Sequence, residues 1–100
     1  MTKLEIIIRP DKLEKLKEIL NEISIGGMTV TSVMGCGNQK GSIDYDTIKG
    51  LKVSGMNLIP KIMVMVVVAD KDVDDILAAV HSEISTGKVG DGKVFVSRID

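Results

Sequence analysis

One hundred residues with a formal charge of −1 make one small domain spanning 1–100, near the size at which a single core is sufficient. Thirteen Lys and Arg against fourteen Asp and Glu exclude a basic surface that holds nucleic acid by neutralising phosphates, and Tyr45 and Phe95 alone are too few aromatics to stack bases. No apolar run approaches a membrane span or a secretory leader, so the expectation is a cytoplasmic protein without membrane insertion.

Residues 3–9 alternate, with Leu4, Ile6 and Ile8 on one face and Glu5, Ile7 and Arg9 on the other, which predicts a strand. Pro10 ends it. Asp11 and Glu14 then form a capping-box pattern, and Leu13, Leu16, Ile19, Leu20 and Ile23 recur at helical spacing up to Gly26 and Gly27. A second strand is expected over 28–36. From Gly37 to about Met56 the periodicity disappears, and an irregular stretch of that length in a small domain predicts a functional or mobile loop. Residues 58–69 form an apolar strand, with Ile62, Val64, Val66 and Val68 on one face and Met63, Met65 and Val67 on the other. Asp70 is placed to cap the next helix, whose buried stripe is Val73, Ile76, Leu77, Val80 and Ile84. A glycine-rich turn, Thr86-Gly87-Lys88-Val89-Gly90-Asp91-Gly92-Lys93, leads into a last strand over 93–99.

The order βαββαβ predicts a ferredoxin-like α+β fold, a four-stranded antiparallel sheet with both helices on one face. The other face would then carry Met63, Met65 and Val67 uncovered, and such a face is an association surface. A homo-oligomer follows, with ligand clefts between copies. The turn 86–93 and the stretch Gly35-Cys36-Gly37-Asn38-Gln39-Lys40-Gly41 both put main-chain amides beside lysines, a combination that suits a polyanion.

Several other residues have plain readings. Cys36 is alone and cannot form an internal disulfide; it reads as a small filler, and no Cys/His spacing suggests a metal site. His81 falls off the buried stripe, towards solvent. Lys61 beside Pro60 has the look of an edge-strand lysine that discourages pairing with another chain. No Ser/His/Asp or paired-carboxylate arrangement emerges, so a non-enzyme is expected.

Five stretches in order, Ile6-Ile7-Ile8-Arg9-Pro10, Gly27-Met28-Thr29-Val30, Gly35 to Gly41, Leu58-Ile59-Pro60-Lys61 and Thr86 to Val96, resemble the PII signal-transduction proteins, homotrimeric sensors of nitrogen and carbon status. The chain is similar to a divergent, C-terminally short member: relatives continue past the position of Asp100. The resemblance implies a T-loop at about 37–57 and a B-loop at about 86–93. It implies ATP or ADP bound between subunits, with Ile7, Thr29, Gly35 and Val67 around adenine and ribose, and Gly37, Asn38, Gln39, Gly90, Asp91, Gly92 and Lys93 at the phosphates. Asn38 stands where relatives usually carry arginine, which removes one cationic contact. Gln39 would coordinate Mg²⁺ with ATP and would, with Lys61, contact 2-oxoglutarate. The T-loop would dock a target such as an ammonium or other transporter or a metabolic enzyme. The alternative is a ferredoxin-like metabolite-binding module or small enzyme that has lost the switch.

Overall fold

The computed structural model describes residues 1–23, 25–37, 57–85 and 92–100. Alternating apolar residues produce four strands, β1 (Thr2–Ile8), β2 (Thr29–Gly37), β3 (Asn57–Val68) and β4 (Gly92–Arg98). Two amphipathic stretches produce helices α1 (Leu13–Glu22) and α2 (Val73–Glu83), giving the order β1-α1-β2-β3-α2-β4 among the described residues. The strands lie as β2-β3-β1-β4, every neighbouring pair antiparallel. This is the expected ferredoxin-like α+β fold.

The core fills the space between the helices and one face of the sheet. Leu4, Ile6 and Ile8 from β1 and Val64, Val66 and Val68 from β3 meet Leu16, Ile19 and Leu20 of α1 and Ile76 of α2. Because strand side chains alternate, the same six strand positions leave Lys3, Glu5, Ile7, Met63, Met65 and Val67 on the opposite face. His81 is exposed, as its helical position requires.

Neither helix is capped as the sequence suggests. Each βα joint instead passes through a 3-10 turn, Pro10–Lys12 before α1 and Asp70–Asp72 before α2, and no side chain caps either helix. The residues entering the two turns share one conformation, Arg9 at φ −67°, ψ 144° and Ala69 at φ −67°, ψ 145°. Main-chain bonds do the work of a cap: the Lys12 amide donates to the Arg9 carbonyl and the Asp72 amide to the Ala69 carbonyl, both at 3.0 Å. Pro10 has no N–H to satisfy, which further reduces the need for a side-chain acceptor. The expected cappers are engaged elsewhere. Glu14 accepts from Lys17 at 2.9 Å, and Asp70 accepts from the Thr2 hydroxyl at 2.7 Å, tying the start of α2 to the first residue of β1.

The strands differ in length, and this shapes the site. Pairing of β1 with β3 ends at Ile8 and Ile62, whereas β2 follows β3 down to Asn57. Over 57–61, then, β3 has a ladder partner on one side only. Pro60 falls in this segment, where its missing N–H costs least.

Candidate functional site

Strand register puts most of the candidate residues within the described segments on one surface. Pairing places Ile7 opposite Met63 on β3 and opposite Lys93 on β4, so these three form one row across the open face. Met63 and Lys93 are therefore about 10 Å apart, two strand spacings. One row further along β3 lies Lys61, opposite Val33, and the next row pairs Ile59 with Gly35. Ile7, Gly35, Lys61 and Lys93 thus gather towards the end of the sheet where the stretches 38–56 and 86–91 leave it.

Thr29 and Val67 belong to the same face, one row and two rows beyond that of Ile7 and Lys93, with Val67 at the far end. Thr29 pairs with Met65, and Val67 pairs with Lys3. Ile59, the partner of Gly35, is eight residues from Val67 along β3, about 26 Å at the usual rise of about 3.3 Å per residue. One protomer therefore does not bring all the expected adenine and ribose neighbours to one spot. Gly37 and Gly92 are the strand residues next to the stretches 38–56 and 86–91. Asn38, Gln39, Gly90 and Asp91 lie outside the described residues.

The face mixes apolar and charged residues: Ile7, Met63, Met65, Val67 and Phe95 share it with Lys3, Glu5, Lys61 and Lys93, and Glu5 lies between Met65 and Phe95. Met63, Met65 and Ile7 are half-buried by their neighbours alone, while Val67 and Phe95 remain 41% and 49% exposed. Phe95 is a contributor that the loop-centred reading of the sequence passed over, although the alternation Lys93, Phe95, Ser97 along β4 signals it. The Lys93 ammonium lies 5.9 Å from the centre of the Phe95 ring, a cation–π arrangement that holds the lysine over the open face.

Lys61 departs from its plain reading. It falls where β3 lacks a partner on one side, but only 7% of it is exposed, so its side chain is packed on the open face and not held out along the edge. Its stem passes over Gly35: a Cβ at that glycine would come 3.1 Å from Lys61 Cγ and 3.6 Å from Lys61 Cε. Cys36 also departs from expectation. It points to the helical side of the sheet beyond the reach of the helices, and it is exposed together with Met34 and Leu58, so it fills no core space.

Among the described residues no group of three or more His, Cys, Asp or Glu could hold a metal ion. None of their helices is long and apolar enough to cross a membrane. A shallow groove along the outer side of α1, bounded by Glu14, Lys17, Asn21 and Met28 among others, contains none of the candidate residues.

An antiparallel sheet covered by two helices on one side and bare on the other, where Met63, Met65, Val67 and Phe95 lie beside Lys61 and Lys93, defines a ferredoxin-like α+β domain. The chain belongs to the family described as Nitrogen regulatory protein P-II, which it matches along residues 1–100. It is 39% identical over 100 residues to the nitrogen regulatory protein P-II of Rhizobium meliloti (strain 1021), covering all of this chain and 87% of that one. The nitrogen regulatory protein P-II of Cyanidium caldarium is 42% identical over 98 residues, with 98% and 84% of the two chains covered. The nitrogen regulatory protein GlnK of Escherichia coli (strain K12) is 40% identical over 99 residues, with 99% and 86% covered.

Proposed function

We propose that this chain is a PII-type regulator in which copies associate through the open sheet face as a homotrimer and hold ATP or ADP at the seams. One observation carries the reading: the residues expected around a nucleotide are spread along one face, with Gly35 and Val67 separated by about 26 Å of strand. No single ligand spans that separation within a protomer. Two neighbouring copies, each offering a different end, complete the set. Association also covers Val67 and Phe95, whose exposure is otherwise unfavourable.

In this account Ile7, Thr29, Gly35 and Val67 surround adenine and ribose, and Gly37, Asn38 and Gln39 meet Gly90, Asp91, Gly92 and Lys93 at the phosphates. Lys93 already lies on the open face, held over Phe95, and a phosphate would replace the ring as its partner. Mg²⁺, a hard cation, would be held by phosphate oxygens and the Gln39 amide oxygen. Lys61 would pair with a carboxylate of 2-oxoglutarate. Its ammonium is carried on a buried stem, so the charge is aimed and little side-chain entropy remains to be lost on binding. The protein catalyses nothing in this scheme. In the cytoplasm, ligands bias the loop 37–57 between states that an ammonium or other transporter or a metabolic enzyme distinguishes, and each ligand shifts that balance only by its differential affinity for the states.

Titration calorimetry with ATP, ADP and AMP, with and without Mg²⁺ and 2-oxoglutarate, tests the reading alongside sedimentation equilibrium. The expected result is a trimer that binds adenine nucleotides, with affinity for Mg-ATP raised by the dicarboxylate. A stable monomer, or silence towards every nucleotide, would leave the metabolite-binding or enzymatic alternative.

A further inference from the structure

We infer that Gly35 is a positioning residue for Lys61: its missing side chain is the bed in which the lysine stem lies, and it sets the course of the ammonium across the open face. Two separate atoms of the stem approach the vacant position, Cγ at 3.1 Å and Cε at 3.6 Å from where a Cβ would sit, so the chain is laid along the glycine and not merely brushing it at its tip. Register explains the path. Lys61 pairs with Val33 and Gly35 pairs with Ile59, so the stem leaves its own row and runs diagonally over the next one, towards the end of the β2–β3 ladder. The stem has little room to yield: the residue is 7% exposed, and Cγ is close to the main chain, where a lysine is least flexible. A methyl group at position 35 therefore requires Lys61 Cγ to give way by a few tenths of an ångström, which shifts the stem beyond it. A distance of 3.1 Å is tighter than nine in ten real Cβ contacts.

The consequence for ligand binding rests on the reading of Lys61 given above, but the positioning itself does not. Amine acetylation of the ligand-free protein, followed by peptide mass spectrometry, reads it directly. In the parent protein Lys61 should label far more slowly than Lys15 and Lys17, whose side chains are 44% and 50% exposed. In Gly35→Ala the Lys61 rate should rise several-fold, with Lys15 and Lys17 unchanged as internal standards. A stability cycle of Gly35→Ala, Lys61→Ala and the double variant adds a second readout. The cost of the methyl group should be present with the lysine and absent without it, and if Gly35→Ala alone fails to fold, removal of the lysine should restore folding. Unchanged labelling, an additive cycle, or a double variant that also fails to fold overturns the inference. Faster labelling with unaltered response to 2-oxoglutarate keeps the positioning and removes Lys61 from the ligand site. Faster labelling with a weakened response, reproduced by Lys61→Met, supports both.

Discussion

Replacement of Gly92 by alanine should detach the start of β4 from β1. Gly92 has φ +132°, a conformation that residues with a side chain rarely adopt, and forcing one into it costs about 1–3 kcal/mol. Space is also lacking. An added Cβ falls far inside contact distance of the Ile7 carbonyl oxygen, 2.9 Å from the Ile7 carbonyl carbon and 3.2 Å from Ile8 Cα. All three atoms are main chain, so no rotamer change relieves the clash and the two strands must part. Losing the terminal hydrogen bond of the ladder adds about 1 kcal/mol, for a total of about 2–4 kcal/mol. In a domain of this size each kcal/mol moves the melting temperature by about 4–8 °C, so circular dichroism should show a fall of roughly 10 °C or more. Gly26→Ala is the control, because a Cβ there meets nothing within 4 Å and that glycine has no positive φ. It should leave the melt unchanged or raise it slightly, the usual effect of restricting the unfolded chain. Both proteins must be compared at one concentration, since association shifts the apparent midpoint. The argument fails if Gly92→Ala melts within about 2 °C of the parent or if the control falls as far.

Three further outcomes follow from particular contacts. Leu16, fully buried between α1 and the sheet, should cost about 2–5 kcal/mol when cut to alanine, read as a shift of the urea midpoint at constant slope; a cost below about 1 kcal/mol would contradict its place in the core. The Asp70 carboxyl is held below its ordinary value of 3.8, first by the Thr2 hydroxyl and then by the Met1 ammonium. Its contribution to stability is present above that ordinary value and lost as pH falls through the lower folded one, so Asp70→Asn should lose less stability than the parent on acidification below pH 3.8; parallel curves would show that the contact contributes nothing. Lys93→Ala should abolish nucleotide binding in calorimetry while sedimentation still shows the assembly, and an unchanged affinity would remove the phosphates from that end of the face.

Much of this arrangement is legible before folding, and the reasons are local. Leu4, Ile6 and Ile8 alternate because β1 has one buried face, and the double-sided apolar run 62–68 betrays a strand with covered positions on one side and a bare hydrophobic strip on the other. Helical stripes at Leu16, Ile19 and Leu20 and at Ile76 are equally direct. What escapes is decided by partners far away in the chain. Asp70 has the sequence neighbourhood of a helix cap, yet Thr2, 68 residues distant, takes its carboxylate. Lys61 beside a proline resembles an edge residue, and only the pairing of β3 with β2 shows that its stem is laid over Gly35. Cys36 is small and sits between two glycines at the end of a strand, but the strand that carries it extends beyond the helices, so nothing buries it. The candidate site shows the same division. Its residue types could be named from the two glycine-broken stretches, whereas the distribution of Ile7, Lys61 and Lys93 against Thr29 and Val67 needed the register.

The unequal strands give this sheet a cantilever. From Met65 to Ile62 strand β3 is clamped on both sides, and from Lys61 to Asn57 it projects with β2 as its only brace. Amide exchange should accordingly quicken along β3 in that direction. A ligand that gripped Lys61 would take hold at the root of the overhang, where a small tilt swings the tip farthest.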